Sequence, residues 1–332
     1  MIVSLAPGAD AELVRAELAR LGLWASLERG SDGVTAQFSI AACSAACDPR
    51  AIEKIRGVAS VSITTSTHPK LDAQGSVVDV AGIKIGGAAP VLMAGPCSVE
   101  SEKQITTIAE AVAACGGTFL RGGAFKPRTS PYAFEGHGPP ALVWLRKAAD
   151  RFSLRVVTEV MGENEVTVVS EHADLLQIGT RNMQNYALLR AVGAAKRPVL
   201  LKRAMSATIE EWLLSAEHLL AHGASGVVLC ERGIKSFDPS TRNLLDLGAV
   251  ALIAQQYRIP IIVDPSHATG RRDLVVPLAH AAIAAGASGL CIEAHDDPGV
   301  ALSDGPQALD LPALAPLART MQRVWNVTRG VA

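Results

Sequence analysis

Short apolar runs recur along most of the chain, and a charged or metal-binding residue follows each of them. There are eight such runs, at 90–94, 118–120, 156–158, 175–178, 199–201, 227–229, 261–263 and 289–292. The residues that follow them are Cys97, Arg121, Glu159, Arg181, Lys202, Arg232, His267 and Glu293. Buried parallel strands are typically short apolar runs, and a helix-sized connection joins each to the next. Eight such units predict an α/β fold, a (β/α)8 TIM barrel, in which the loops after the strands line one mouth.

Helical periodicity fills the segments between these runs. Ser101 stands where a helix N-cap is expected, and Thr208 with Glu211 is typical of a capping box. The predicted helices lie at 102–115, 141–151, 163–171, 186–192, 209–222, 247–256, 274–285 and 311–325.

Residues 1–66 have the pattern of a separate small domain. The predicted order βαββαβ is that of a ferredoxin-like unit, a module that often binds ligands or forms oligomers. The polar segment 67–76 is predicted to be a linker, and 77–332 to be the barrel domain. Two short strands at 77–80 and 83–85 form a hairpin that would plug the N-terminal end of the barrel. The elements of the small domain are predicted at 2–5, 11–21, 23–27, 34–40, from about 48, and 58–64.

Composition narrows the class of protein. The 332 residues are 49% hydrophobic but only 4% aromatic, so the core is built mainly of Ala, Val, Leu and Ile, which suits a barrel. A net charge of −1 argues against a nucleic-acid surface. The N-terminus lacks a signal-peptide pattern, so we expect a cytoplasmic protein. The uncharged stretch 274–292 is interrupted by Pro277 and Gly286, so we expect no membrane span.

Six cysteines in such a chain are expected to be reduced. Cys115, Cys230 and Cys291 lie in apolar runs and are expected in the core. Cys43 and Cys47 have the spacing of a redox or metal pair, but no second pair of ligands accompanies them, so their role stays open.

Positive charge is concentrated after the predicted strands, although the whole chain is nearly neutral. Arginine and lysine in such a cluster suit phosphate or carboxylate, and their number suggests more than one anionic group. The alternative explanation is that these residues are ordinary solvated surface charges, and this explanation applies best to Arg203. The set comprises Arg121, Lys126, Arg128, Arg181, Lys202, Arg203 and Arg232.

A second group offers a thiolate, an imidazole and two carboxylates, namely Cys97, His267, Glu293 and Asp304. The first, seventh and eighth strands of a closed barrel are neighbours, so their loops converge. Each residue taken alone has an ordinary structural explanation, but together they predict a site for a divalent metal. The ligand types accept Mn, Fe, Co, Zn or Cu, and the sequence leaves that choice open.

The segment 121–138 is predicted to be an ordered loop because it is rich in glycine and proline. Loops of this length in compact domains are uncommon unless they are functional. Its cations and Thr129 are therefore expected to surround a substrate.

Seven motifs give the chain a specific resemblance to the type I 3-deoxy-D-arabino-heptulosonate 7-phosphate (DAHP) synthases, in the form with an N-terminal ferredoxin-like regulatory domain. KPRTSP, at 126–131, separates this family from the sister family that uses arabinose 5-phosphate. The motifs are AGPCSVES at 94–101, RGGAFKPRTSPYAFEG at 121–136, IGTRNMQN at 178–185, LLKR at 200–203, CERG at 230–233, VDPSHATGRRDLV at 263–275 and ALSDGPQAL at 301–309.

The resemblance implies condensation of phosphoenolpyruvate with erythrose 4-phosphate, the first step of the shikimate route, by a metal-dependent homotetramer. It also implies that Arg128 and Thr129 contact erythrose 4-phosphate, and that the metal ligands are Cys97, His267, Glu293 and Asp304. Lys126 is the candidate proton donor to the forming alkoxide, and Glu159 the candidate to orient the attacking water. Phosphoenolpyruvate would be held by Arg121, Lys126, Arg181, Lys202 and Arg232.

The small domain fits the family less well. Feedback inhibition by tyrosine or phenylalanine in such enzymes involves a histidine and a serine at the start of the second strand, where this chain has Ser26 and Glu28. We therefore expect weak or absent inhibition. Two other functions stay open: a 3-deoxy-D-manno-octulosonate 8-phosphate synthase acting on arabinose 5-phosphate, and a catalytically silent sensor of phosphorylated ligands.

Overall fold

A computed structural model describes residues 1–29, 36–41, 44–45, 47–62, 66–126, 132 and 134–330. The chain divides into two compact units, Met1–Thr67 and His68–Ala332. Each unit is built around its own hydrophobic core.

The smaller unit has the predicted order of strands and helices. Its sheet has the strand order β2-β3-β1-β4 with antiparallel pairing throughout, which is the arrangement of a ferredoxin-like domain. The side chains of Asp10 and Asp48 cap the two helices, and Leu18 and Phe38 are fully buried between helices and sheet. Cys47 is a half-buried free thiol, whereas Cys43 lies outside the described residues. The elements are β1 (Ile2–Leu5), α1 (Ala11–Arg20), β2 (Ala25–Arg29), β3 (Ala36–Ile40), α2 (Pro49–Glu53) and β4 (Val58–Ser62).

The larger unit is a (β/α)8 barrel, as predicted. Strands β7 to β14 pair in parallel in chain order, and β14 pairs with both β13 and β7, so the sheet closes. Its strands are β5 (Val78–Val80), β6 (Ile83–Ile85), β7 (Val91–Gly95), β8 (Phe119–Arg121), β9 (Arg155–Glu159), β10 (Leu175–Ile178), β11 (Pro198–Lys202), β12 (Gly226–Glu231), β13 (Ile261–Val263), β14 (Gly289–His295) and β15 (Leu309–Asp310). Its helices are α3 (Pro69–Ala73), α4 (Glu102–Ala114), α5 (Pro139–Arg151), α6 (Val166–His172), α7 (Tyr186–Ala194), α8 (Ile209–Ala221), α9 (Leu247–Leu252), α10 (Pro265–Thr269), α11 (Arg272–Ala284) and α12 (Leu314–Arg329).

Two hydrophobic layers hold the barrel together, because successive side chains of a strand point to opposite faces. One face of each strand packs against the surrounding helices, and the other fills the interior. Val78, Val80 and Ile85 of the β5–β6 hairpin belong to the interior cluster, so the hairpin closes the N-terminal end as predicted. The interior residues of the barrel strands are Val91, Met93, Phe119, Val157, Leu175, Leu200, Val228, Cys230, Ile262 and Cys291.

The inward-facing series continues toward the C-terminal end with polar residues. Two positions beyond Phe119 is Arg121, two beyond Leu200 is Lys202, and the same step leads to a polar residue in every barrel strand except β7, where it leads from Met93 to Gly95. The strands therefore carry these side chains to the mouth of the barrel. The residues reached in this way are Arg121, Glu159, Gln177, Lys202, Arg232, Asp264 and Glu293.

Some local features differ from the prediction. The segment predicted to be a linker contains α3, whose Leu71 is buried and whose first backbone amides donate to the Glu217 carboxylate of α8. The short helix α10 was not predicted. Arg121, Glu159, Lys202 and Glu293 lie within the ends of their strands, because the strands extend beyond the apolar runs. Among the described residues, no helix is both long and apolar enough to cross a membrane.

Candidate active site

An open cavity occupies the mouth of the barrel. Most side chains around it are ionisable, which is unusual for a binding pocket and indicates a highly charged ligand. Its lining residues are Arg121, Lys126, Glu159, Gln177, Gly179, Thr180, Arg181, Lys202, Met205, Arg232, Arg242, His267 and Asp304.

The two deepest cations of the cavity are paired with buried carboxylates. Arg121 donates to Glu293 Oε1 at 2.9 Å, and Lys202 donates to Asp264 Oδ2 at 2.6 Å. Burial alone would lower the pKa of Arg121 and of Lys202, but the surrounding acidic groups, chiefly Glu293 for Arg121 and Asp264 for Lys202, together outweigh it and raise both pKa values. Both cations therefore stay charged in a site from which water is largely excluded.

Arg232 is different because it forms no ion pair with a carboxylate among the described residues. Its side chain is buried, and its Nη1 has no hydrogen-bond partner among the described residues. Burial lowers its pKa. A buried donor without an acceptor is costly, so this guanidinium is arranged for an acceptor that a ligand would bring.

Two further predicted cations complete this side of the cavity. Lys126 donates to the backbone oxygen of Cys97 at 2.9 Å. This bond holds its ammonium group at the edge of the metal-ligand cluster, which is formed by Cys97, His267, Glu293 and Asp304. Arg181 is exposed and lines the outer part of the cavity. Arg128 and Thr129 lie outside the described residues, so their assignment to the second substrate stays a prediction.

Arg203 does not join the cavity. It pairs with Glu231 at 3.1 Å and with Asp246 at 2.9 Å, and its guanidinium lies over the ring of Trp212. Adjacent residues of a strand face opposite sides, so Lys202 points inward and Arg203 points toward the helices. Arg203 therefore has a structural role.

The four predicted metal ligands converge. One donor atom from each of Cys97, His267, Glu293 and Asp304 lies within 4.8 Å of the others. Cys97 Sγ lies 3.1 Å from Asp304 Oδ2, and His267 Nε2 lies 3.3 Å from Glu293 Oε1 and 3.9 Å from Asp304 Oδ2. A thiol, an imidazole and two carboxylates at these separations fit a borderline divalent ion.

The charge state of this cluster reflects its burial. Burial raises the pKa of the Cys97 thiol to about 11. Burial also opposes ionisation of Glu293 and Asp304, but His267 and the neighbouring cations together outweigh it, and the pKa of each carboxyl is lowered. The two carboxylates are therefore anionic, as a metal site requires.

Neighbouring groups orient these four side chains. Asp264 accepts a hydrogen bond from His267 Nδ1 at 2.7 Å, which leaves Nε2 facing the other ligands. Gln307 donates to Glu293 Oε2, and Arg242 contacts both Gln307, at 3.2 Å, and Asp304, at 3.5 Å. Such contacts fix the orientation of a ligand and tune its affinity for metal.

Glu159 lies on the opposite side of the cavity. Its Oε2 accepts from Gln177 at 3.3 Å, and its Oε1 fills the space next to Gly179. A β-carbon at position 179 would overlap that oxygen, so glycine there leaves room for the carboxylate. The close approach of β7 to β8 similarly requires Gly95, whose φ is 151° and whose β-carbon would overlap the backbone oxygen of Arg121.

Four residues of the site were missed from the sequence: Gln177, Arg242, Asp264 and Gln307. Period-two alternation would have identified two of them, because Gln177 follows Leu175 and Asp264 follows Ile262 on the inward face. Arg242 lies in a loop and Gln307 in a single 3₁₀ turn, where no periodic pattern marks them.

Comparison with known proteins places this site in a family. The model of the DAHP synthetase I family matches residues 61–329. A phospho-2-dehydro-3-deoxyheptonate aldolase from Thermotoga maritima is 47% identical over 262 residues, which cover 79% of this chain and 76% of the relative. A 2-dehydro-3-deoxyphosphooctonate aldolase from Acidithiobacillus ferrooxidans is 33% identical over 257 residues, which cover 72% of this chain and 90% of that protein.

Solved structures give the same result. A crystal structure of DAHP synthase from Thermotoga maritima superposes with a TM-score of 0.76 and 40% identity, over 98% of this chain and 97% of that one. A truncated form of the Thermotoga maritima synthase covers 76% of this chain and 93% of its own length, with a TM-score of 0.71 and 45% identity. The chain belongs to the DAHP synthetase I family.

Proposed function

We propose that this protein is a DAHP synthase, which condenses phosphoenolpyruvate with erythrose 4-phosphate to give DAHP and phosphate, the first step of the shikimate route. One observation carries the proposal: a barrel mouth where several cations adjoin a cluster of cysteine, histidine, glutamate and aspartate. The 47% identity to a phospho-2-dehydro-3-deoxyheptonate aldolase supports the same reaction.

The charge of the cavity suits phosphoenolpyruvate, which carries a phosphate and a carboxylate. Arg232 offers a buried donor that lacks a partner, and Lys202 lies beside it at the end of the neighbouring strand. Guanidinium groups bind such oxyanions with paired hydrogen bonds, and an ammonium adds a compact charge. We assign phosphoenolpyruvate to Arg121, Lys126, Arg181, Lys202 and Arg232.

The residues also suit the bond changes of the condensation. C3 of phosphoenolpyruvate forms a bond to the aldehyde carbon, water adds to C2, and the resulting hemiketal phosphate releases inorganic phosphate. Lys126, held at the metal-ligand cluster by its bond to Cys97 O, supplies the proton to the forming alkoxide. Glu159, which also lines the cavity, orients the water that attacks C2.

The metal-ligand cluster completes the site. Cys97, His267, Glu293 and Asp304 would hold a divalent ion, which would supply Lewis acidity to the aldehyde of the tetrose or hold the water that adds to C2. The mixed sulfur, nitrogen and oxygen donors suit Mn, Fe, Co, Zn or Cu. We further propose that the enzyme works in the cytoplasm as a homotetramer, as its resemblance to the family implies.

Arabinose 5-phosphate is the alternative second substrate, because one relative at 33% identity is a 2-dehydro-3-deoxyphosphooctonate aldolase. The KPRTSP motif and the higher identity to the heptonate enzyme favour the tetrose. Arg128 and Thr129 of that motif are assigned to erythrose 4-phosphate.

A phosphate-release assay tests the function directly. Phosphoenolpyruvate is supplied with either erythrose 4-phosphate or arabinose 5-phosphate, before and after chelation. We expect rapid release with the tetrose and little with the pentose. A preference for the pentose would reverse the assignment, and no release with either would favour the silent sensor.

A further inference from the structure

The carboxylate of Asp264 lies where the two halves of the site meet. The residue follows β13, caps α10 and is completely buried. Its Oδ1 accepts the backbone N–H of His267 at 2.9 Å. Its Oδ2 accepts two side-chain donors, Lys202 Nζ at 2.6 Å and His267 Nδ1 at 2.7 Å.

These two donors belong to different parts of the site, one to the anion-binding side and the other to the metal-ligand cluster. Lys202 is one of the cations assigned to phosphoenolpyruvate, and His267 turns its other nitrogen toward Glu293 and Asp304. Because one oxygen serves both donors, a stronger bond to one weakens the bond to the other. The negative charge of Asp264 is thus divided between the anion site and the metal site.

We propose that Asp264 is a positioning residue that couples metal occupancy to substrate binding, by exchanging its charge between His267 and Lys202. A cation at His267 Nε2 makes Nδ1–H a stronger donor, which draws the carboxylate toward the imidazole. The ammonium of Lys202 is then freer to bind the substrate anion. By linkage, the substrate must tighten metal binding by the same factor. This inference rests on the proposed function.

Asparagine at position 264 is the informative substitution. It keeps nearly the same volume, but its amide has one acceptor oxygen and is neutral. It can serve His267 or Lys202 but cannot divide a negative charge between them. Asp264→Asn should therefore remove the coupling and leave the outline of the site intact.

Glu231 provides a matched control. It is also completely buried, lies on the adjacent strand β12 and pairs with Arg203 at 3.1 Å. Its Oε1 accepts the Gly233 backbone N–H at 2.7 Å, so its carboxylate is held by Arg203 and Gly233 rather than by the metal-ligand cluster. Glu231→Gln removes a buried, paired charge without touching the Lys202–Asp264–His267 contacts.

The test measures binding rather than turnover. Calorimetry gives the Kd of phosphoenolpyruvate for the metal-free and the Mn²⁺-loaded full-length protein, and their ratio is the coupling factor. Direct attraction between the ion and the substrate contributes to this factor in every variant, so the difference between variants isolates Asp264. We expect a factor of about ten or more in the unsubstituted protein and in Glu231→Gln. In Asp264→Asn the factor should fall at least about threefold, with Mn²⁺ affinity about 10- to 100-fold lower.

A folded Asp264→Asn protein whose coupling factor equals that of the unsubstituted protein would overturn the inference. If that variant does not fold by circular dichroism, Lys202→Gln gives the reciprocal test in the absence of substrate. In Lys202→Gln the Asp264 carboxylate no longer binds an ammonium group and interacts with His267 alone, so Mn²⁺ should bind more tightly. The control is Lys126→Gln, which removes a nearby cation that does not contact Asp264 and should give weaker Mn²⁺ binding than Lys202→Gln. Equal Mn²⁺ affinities in these two variants would also overturn it.

The same measurements separate this inference from the proposed function. If the unsubstituted protein binds no phosphoenolpyruvate, both fail. If it binds metal and phosphoenolpyruvate with the expected coupling but releases no phosphate with either aldose, only the proposed function fails.

Discussion

The two ends of the barrel use the same strands for opposite purposes. At the N-terminal end the inward-facing residues are apolar, and Val80 and Ile85 of the hairpin pack among them. One inward step further toward the C-terminal end, most strands present charged residues instead. The inward-facing side chains thus form two layers: an apolar layer that stabilises the fold, and a charged layer that lines the candidate active site.

The apolar end shows why most charges at the other end occur in pairs. The apolar N-terminal end excludes water from the bottom of the cavity. Without water to solvate it, a buried charge needs an oppositely charged partner nearby. Arg121 with Glu293 and Lys202 with Asp264 meet that requirement. Two buried donors at the mouth, Arg121 Nε and Arg232 Nη1, have no hydrogen-bond partner among the described residues. The comparison suggests that unpaired charge at the mouth is reserved for ligands, and the following experiments test that separation.

The largest effect is expected at the metal-ligand cluster. Strict removal of divalent ions should reduce turnover to background, and an added divalent ion should restore it, because four candidate ligands converge there. Cys97→Ala should weaken metal retention without unfolding the protein, whereas Cys115→Ala, at a half-buried thiol outside the cluster, should not. Metal content by mass spectrometry and phosphate release provide the measurements. Full activity in metal-free protein would refute this role.

The next effect concerns the lysine at the edge of that cluster. Lys126→Ala should lower kcat by about 10²- to 10⁴-fold, since that is the usual contribution of general acid catalysis. Arg128→Ala should mainly raise KM for the aldose. Steady-state kinetics with both substrates separate the two outcomes. A Lys126→Ala enzyme with normal kcat and altered KM alone would show that Lys126 only binds substrate.

At the closed end the expected effect is on stability alone. Ile85→Ala should lower the free energy of unfolding by about 2 to 5 kcal/mol, because it leaves a cavity in a fully buried layer. Lys84→Ala, exposed on the same strand, is the matched control and should change stability by less than about 0.5 kcal/mol. Denaturant unfolding measures both. A fall in kcat for correctly folded Ile85→Ala would show that the two ends are not separate.

The smallest effect on turnover is expected from the small domain. Deleting residues 1–66 should leave an active barrel, since the site residues all lie in the unit His68–Ala332. We also expect tyrosine and phenylalanine to inhibit the intact enzyme weakly or not at all. Glu28 is exposed on β2, where like charge would repel an effector carboxylate.

Assays of intact and truncated protein with tyrosine, phenylalanine, tryptophan, chorismate and prephenate test this prediction. Strong inhibition of the intact protein by tyrosine or phenylalanine, lost on truncation, would show that our interpretation of Ser26 and Glu28 is wrong.

The sequence predicted most of the fold because buried parallel strands leave a simple pattern. Runs such as 175–178 and 261–263 coincide with β10 and β13. Strand ends were less accurate, since Lys202 and Glu293 are charged yet lie within buried strands as members of ion pairs. An apolar pattern cannot detect a charge whose partner lies on another strand.

The site was predictable where residue type alone indicates chemistry, as for Cys97 and His267. It was not predictable where a side chain acts through its neighbours. Arg203 resembles Lys202 in sequence but faces the opposite side of β11, and Asp264 becomes informative only when Lys202 and His267 are both seen to contact it. Such assignments depend on side-chain direction and on contacts between distant segments.

The β5–β6 hairpin, which closes the N-terminal end of the barrel, also affects the order in which substrates bind. With the hairpin across one end, reactants and products share a single entrance. Arg121 and Lys202 lie deep, and Arg181 lies near the opening. A molecule held by the deeper cations must arrive before, and depart after, one bound nearer the rim. We therefore expect compulsory ordered binding, in which the second substrate blocks dissociation of the first.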